Sequence, residues 1–246
     1  MRRIDFDHNA TTRIDPRVLD AMWAVEAAST GNPSSIHEEG RRARDVIERA
    51  REQVASALGG ASSEIVFTSG GTEADALGIL GAARAARRSG RPARVVTSPL
   101  EHPAVTGALA VLLEDGFDVV RVPVDAEGRI AVEDVALALA PGASLAVFAL
   151  VNHELGNVYD VASLAGVAHR AGALVHCDAV QAVGRMAVAV GALDADLVAI
   201  SAHKFYGPKG SGALWMRRGV VIAPLVGGGH QERGLRPGTE NVAGIV

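Results

Sequence analysis

The chain has 246 residues, 48% of them hydrophobic and only 4% aromatic, which is enough for one large domain with a core of Ala, Val, Leu and Ile. A formal net charge of −4 gives no electrostatic reason to expect nucleic acid or an anionic membrane as a partner. A single cysteine, Cys177, excludes an intramolecular disulfide framework. The opening stretch, Met1 to Asp7, lacks the apolar centre of a signal peptide. The longest apolar run, Leu145–Val151, is too short to span a bilayer. A soluble, cytoplasmic protein is therefore expected.

Taken in chain order, Asp15-Pro16 places proline at the first position of a helix running to about Ala28. Ser35-x-x-Glu38 has the form of a capping box and opens a longer helix to about Leu58. There Val46, Ile47, Ala50, Val54 and Leu58 recur at helical spacing, and arginines such as those between Arg41 and Arg51 read as a solvated face. A strand at Glu64–Thr68 leads into a helix at Thr72–Ser89. Next come a strand at Arg94–Ser98, a helix at Pro103–Asp115 and a strand at Asp118–Val122. A helix at Val132–Ala140, a strand at Ser144–Val151 and a helix at Ser163–Ala171 follow. Leu174–Asp178, Leu197–Ser201 and Ala213–Arg217 are the remaining strands. Continuous apolar strands separated by helices predict an α/β fold with a largely parallel sheet covered on both faces. Gly227 to Thr239 is too glycine-rich for regular structure and reads as a loop, either with a functional backbone or as a plain connection. No internal repeat or linker divides the chain.

Ligands of open α/β sheets bind beyond the carboxyl ends of the strands, so motifs in those positions carry the most information. Thr68-Ser-Gly-Gly-Thr-Glu-Ala runs from strand through a glycine turn into a helix. Free N–H groups at such a helix start form an anion site, with Gly70 and Gly71 admitting a close approach and Thr72 adding a hydroxyl. An ordinary tight turn is the alternative, and neither a P-loop nor a dinucleotide spacing is present. Asp178 ends an apolar strand, where a carboxylate needs a partner. A pyridinium nitrogen would serve, and so would a helix N-terminus that the aspartate caps. Cys177 points to the opposite side of that strand and reads as a small core residue. Of the 24 basic side chains only Lys204 and Lys209 are lysine, and both lie in Ser201-Ala-His-Lys-Phe-Tyr-Gly-Pro-Lys-Gly. A lysine amine can lose its proton and condense with an aldehyde, which arginine cannot do. Lys204 directly follows a buried strand, beside Ser201 and His203, and is preferred over Lys209, which sits in a solvated turn. An isolated histidine such as His102 is ordinarily structural; it gains interest as a stacking lid if an aromatic cofactor binds at this edge.

Together these segments resemble the cysteine desulfurases of the class V aminotransferase superfamily, the fold-type I pyridoxal-phosphate enzymes. The likeness runs in order through Asp7-His-Asn-Ala-Thr-Thr, Gly31-Asn-Pro-Ser-Ser-Ile-His, Thr68-Ser-Gly-Gly-Thr-Glu-Ala, Glu101-His102, Asn152-His-Glu-Leu-Gly, Asp178-Ala-Val-Gln-Ala, Ser201-Ala-His-Lys and Gly238-Thr-Glu-Asn. The resemblance implies a large cofactor domain over residues 1–246, with the family's small C-terminal domain absent. It further implies that Lys204 carries pyridoxal 5′-phosphate as a Schiff base, Asp178 pairs with the ring nitrogen and Gln181 binds the ring hydroxyl. His102 would stack on the ring and shuttle protons; Gly71, Thr72, Ser201 and His203 would surround the phosphate; Asn152 would lie beside the ring oxygen and substrate. Thr239 would reach the phosphate of a neighbouring subunit, implying a homodimer. L-cysteine would be the substrate and alanine the product, with sulfur leaving as a persulfide toward an acceptor protein for iron–sulfur cluster assembly or thio-modification. No metal site is implied. The family's sulfur-accepting cysteine and carboxylate-binding arginine have no counterpart before Val246, so the chain is expected to be a fragment, incomplete for turnover by itself. Asp75 and His153 each stand where the family more usually has asparagine. Another class V enzyme, such as a selenocysteine lyase or an aminotransferase, and a non-catalytic cofactor-binding or dimerisation module are the competing readings.

Overall fold

Strands that are apolar on both faces need cover on both, and the chain supplies it by returning to one sheet after nearly every helix. The structure, a computed structural model, describes residues 4–28 and 31–246; Met1 to Arg3, part of the stretch read for a leader, lie outside it. Helices α1 (Pro16–Ala28) and α2 (Glu38–Leu58) precede the sheet. Then follow β1 (Ile65–Thr68), α3 (Gly71–Arg88), β2 (Arg94–Thr97), α4 (Pro103–Glu114), β3 (Asp118–Arg121), α5 (Val132–Leu139), β4 (Leu145–Ala149), α6 (Val161–Arg170), β5 (Leu174–Asp178), the single turn α7 (Val190–Leu193), β6 (Leu197–Ser201), β7 (Gly212–Met216) and a short α8 (Val242–Ile245). The seven strands lie in the order β1-β7-β6-β5-β4-β2-β3, and every pairing is parallel except those of β7, which is antiparallel to both β1 and β6. The largely parallel, doubly covered sheet anticipated from the sequence is therefore present.

Two cores flank the sheet. Leu77, Ile79 and Ala83 of α3 and Leu109 and Leu112 of α4 pack on one face, with Val95, Leu145 and Leu214. Ile47 of α2, Leu139 of α5 and Leu164 of α6 pack on the other, with Phe148, Val175 and Val198. Cys177 joins this second core and is fully buried. Its strand neighbours His176 and Asp178 must then face α3, because alternate residues of a strand point to opposite sides. Gly78 makes room for that histidine, since a Cβ there would stand 2.5 Å from His176 Nδ1. Among the described residues no helix is long and apolar enough to cross a membrane.

The structure adds the short helices α7 and α8, starts α6 two residues earlier than expected, at Val161, and differs from the sequence expectation more tellingly in three further places. Helix α2 is capped by His37, whose Nδ1 accepts the Gly40 N–H at 3.3 Å, and not by Ser35, whose own N–H bonds back to the Asn32 carbonyl in a turn. Strand β4 ends at Ala149; Val151 instead forms an isolated bridge to Val158. Arg51 is not on a solvated face. It sits four residues after Ile47 on the buried side of α2, and its guanidinium meets Glu232 at 2.6 and 2.7 Å, with side-chain exposures of 8% and 2%. Glu232 also accepts the Phe67 N–H at 2.7 Å. The glycine-rich stretch is thus anchored: Glu232 and Arg233 adopt left-handed φ of 44° and 59°, and the buried ion pair holds that turn against α2 and β1. An uncompensated charge there would be costly, which is why arginine and glutamate occur together.

Candidate active site

Five chain segments leave the carboxyl ends of β1, β2, β4, β5 and β6 and converge on one cavity of about 280 Å³. Gly71, Thr72, His102, Asp178, Gln181, Ser201, His203 and Lys204 all line it, joined by Ala10, Asp75 and His153. Helix α3 points its N-terminus at this space, and no side chain caps it at Gly70. Gly71 is needed there: a Cβ would lie 2.7 Å from Val180 Cγ2 and 3.3 Å from Ser201 Cβ, forcing α3 away from the strand ends. The helix start therefore presents backbone N–H groups beside the Thr72 and Ser201 hydroxyls, an arrangement suited to an anion.

Asp178 sits 6% exposed at the end of β5, and its Oδ1 accepts the Val180 N–H at 2.9 Å. Burial, reinforced by the nearby Asp75 carboxylate, pushes its pKa up to about 7. Asp75 is itself fully enclosed, raised well above the usual range by burial, and bonded to His176 Nε2 at 2.9 Å. His176, held neutral by burial with a pKa down at about 4, leaves Nδ1 without a partner among the described residues. A cation beside Asp178 would relieve this accumulation of buried acid.

His102 caps α4 and accepts the Ala104 N–H on Nδ1 at 3.1 Å. Its pKa is lowered by burial and by the adjacent His153 and Lys204, so the ring is neutral near pH 7. With Nδ1 accepting, the proton resides on Nε2. His153 meets His102 edge to face, ring centres 4.9 Å apart and planes at 78°. Burial and the positive Arg185 lower the Lys204 pKa, while Asp178 and Asp7 oppose that shift. Lys209 is exposed in its turn.

Glu101, between β2 and His102, is a buried acid raised to about 8, mainly by burial; Ser98 Oγ donates to it at 2.6 Å, and Oε2 has no partner among the described residues. Its folded pKa exceeds the ordinary 4.5, so its contribution to stability is complete below about 4.5 and is lost as pH rises through 8. Glu101→Gln should match the parent in thermal midpoint at about pH 4 and exceed it increasingly up to pH 9. An equal fall of both proteins between those pH values would show that Glu101 ionises without penalty.

Two sequence-predicted residues stand elsewhere. Asn152 does not line the cavity: its Nδ2 donates to the Leu100 carbonyl at 2.8 Å and its Oδ1 accepts the Glu154 and Leu155 N–H groups, so the side chain turns its own loop and ties it to the segment after β2. The next residue, His153, occupies the cavity wall instead. Thr239 is exposed in the loop after the Glu232 turn and does not reach the cavity of its own chain. The sequence reading assigned no role to the N-terminal arm, although Asp7-His-Asn-Ala-Thr-Thr stood out as a motif. The arm crosses the cavity mouth, where the Asn9 and Ala10 carbonyls accept hydrogen bonds from Lys204 Nζ at 2.7 and 3.0 Å. Gln181 Nε2 also donates to Asn9 O at 3.0 Å, and its Oε1 is bonded by Arg185.

Residues 4–246 match the family model described as aminotransferase class-V. The chain belongs to the class V aminotransferase family. Within this family, it is 49% identical to a cysteine desulfurase of Cereibacter sphaeroides over its whole length, and covers 63% of that relative. A solved NifS-like protein superposes with a TM-score of 0.95 at 40% identity, covering 99% of this chain and 67% of the other. A structure of SspA in complex with cysteine superposes with a TM-score of 0.92 at 36% identity, covering 98% and 69%. The chain thus spans about three fifths of the length of the curated relatives it matches.

Proposed function

We propose that this class V chain is the cofactor-binding part of a pyridoxal-phosphate-dependent cysteine desulfurase, which takes sulfur from L-cysteine and leaves alanine. One observation carries the proposal. A lysine amine, a buried carboxylate, an Nε2-protonated imidazole and an uncapped helix N-terminus face a single cavity at the carboxyl ends of the strands. The cysteine desulfurase relatives and the neighbour solved with cysteine support L-cysteine as the substrate.

Pyridoxal phosphate fits the residues present. Gly71, Thr72, Ser201 and His203 surround the helix start where a phosphate would lie, Asp178 offers a buried acid to the ring nitrogen, and Lys204 provides the amine that holds the aldehyde. When bound, the cofactor supplies an electron sink for negative charge developing on the substrate α-carbon. The chain's own groups do the rest. Asp178, paired with a cation, keeps its charge despite burial. Lys204 Nζ, shifted toward its neutral form, is both the attaching nucleophile and a base above the cavity. His102 enters as a donor from Nε2, because the Ala104 N–H occupies Nδ1. Gln181 and His153 define the side of the cavity that opens toward the arm. Cys177 is buried and its thiol is raised well above the usual range, first by burial, so the sulfur passes to a different thiol. We further propose that the active form is a homodimer in which Thr239 serves the partner's cofactor site, and that a sulfur-acceptor protein receives the product.

Borohydride reduction of the chain loaded with pyridoxal phosphate, followed by peptide mass spectrometry, tests the proposal. The expected result is a single modified lysine, Lys204, and no covalent cofactor in Lys204→Arg. Label on Lys209, or retention of covalent cofactor in the variant, would refute it.

A further inference from the structure

An amine that alternately carries and releases a cofactor needs a defined place when released, because a half-buried ammonium without acceptors is destabilised. The Lys204 amine has such a place in the two carbonyls of Asn9 and Ala10, at 2.7 and 3.0 Å. The arm that offers them has little core contact to hold it, since residues 8–10 are exposed. Polar ties hold it instead. Asn9 Nδ2 donates to the His153 carbonyl, Asn9 Oδ1 accepts from Arg185 Nη1 at 3.3 Å, and Arg185 Nη2 donates to the His8 carbonyl at 2.7 Å. Beyond Ala10, Thr11 Oγ1 lies 3.1 Å from His203 Nδ1, and both the N–H and the hydroxyl of Thr12 donate to the His203 carbonyl at 2.9 Å. The arm is therefore fastened on one side to the loop that carries Lys204 and on the other, through the Asn9 side chain, to the β4 loop and Arg185.

We propose that Asn9 is a positioning residue whose side chain pins the arm, so that the Asn9 and Ala10 carbonyls form a receiving site for the Lys204 ammonium whenever the amine carries no covalent partner. The proposal rests on reading Lys204 as the cofactor-bearing amine. The charged and titratable groups facing Lys204 are Arg185, Asp178, Asp7, His102 and His203. Arg185 opposes a second positive charge beside it, and the carbonyl dipoles act in the reverse sense. Loss of the two carbonyls should therefore shift the amine toward its neutral form. In turnover the amine, released neutral, would be held there as the ammonium once it has accepted a proton as base, beside the cavity, until it is needed again.

The composition makes a clean test available, because Lys204 and Lys209 are the only lysines. Lysine labelled with carbon-13 at Cε gives two resonances to titrate in the cofactor-free chain. In Asn9→Ala the Lys204 midpoint should move to lower pH while that of exposed Lys209 stays in place. At neutral pH the rate of condensation with added pyridoxal phosphate should rise about tenfold for each pH unit of that fall. A Lys204 midpoint that is unchanged or higher, or a parallel movement of both lysines, would overturn the assignment of Asn9. Borohydride labelling of the parent chain reports separately on the cofactor reading. If Lys204 takes no label there, that reading fails while the titration still decides whether the arm holds its ammonium.

Discussion

Asp178→Asn should leave pyridoxal phosphate binding largely intact and cut turnover about a hundredfold or more, in the range found when a preorganised electrostatic group is removed. Asparagine has the same shape and keeps an oxygen for the Val180 N–H, so the end of β5 should not rearrange. What disappears is the negative charge that would keep the ring nitrogen protonated and the ring electron-withdrawing. The measurement is paired: absorption of the protonated ring and turnover of L-cysteine in the complete enzyme, both of which should fall together. Unchanged turnover would refute the pyridinium role. The variant cannot be dismissed as misfolded, because stability should move the other way. The folded pKa of Asp178, about 7, lies above the ordinary 3.8. Its contribution is thus complete below about 3.8 and is lost as pH rises through 7. The cofactor-free variant should melt above the parent at pH 8.

Glu232→Ala, although outside the cavity, should be strongly destabilising, costing about 3–5 kcal/mol in denaturant unfolding. It leaves the buried Arg51 guanidinium with only the half-exposed Glu48 carboxylate and the Ile65 carbonyl, leaves the Phe67 N–H without its acceptor and releases a turn whose residues 232 and 233 hold left-handed φ. Arg51→Met with Glu232→Gln should recover much of the loss, because the amide oxygen can still accept from Phe67 and no charge remains buried. A Glu232→Ala cost below about 1 kcal/mol would show that the pair is solvated or replaceable. Since the same turn leads into Thr239, a loss of dimer in Glu232→Ala would tie this anchor to the proposed partner site.

Much of the fold was legible along the chain because strand burial and helix amphipathicity are local properties. The strands Leu174–Asp178 and Leu197–Ser201 have the boundaries their apolar runs predict, and the helices containing Thr72 and Pro103 differ by about a residue at their ends. Most of the cavity was legible for the same reason: a polar residue directly after an apolar strand must lie at the sheet's carboxyl edge, where such residues from different strands meet. Asn152 shows the limit of that inference. Its loop turns so that the asparagine is spent on the Leu100 carbonyl and its own following N–H groups while the neighbouring histidine faces the cavity, a choice of one residue that no periodicity records.

By itself, then, the sequence determined the α/β class, the order of elements, the side of β5 on which Cys177 is buried, and the choice of Lys204 over Lys209 as the enclosed amine. Only the tertiary structure decided the partnerships between distant residues. The arm carbonyls meet Lys204 across 195 and 194 positions, Arg51 meets Glu232 across 181, and His176 meets Asp75 across 101. Each pairs polar groups whose enclosure would be unfavourable alone, and composition and spacing cannot say which residue will balance which. That choice is made when the sheet closes and desolvation leaves each buried donor or charge with the partners the fold has brought within reach.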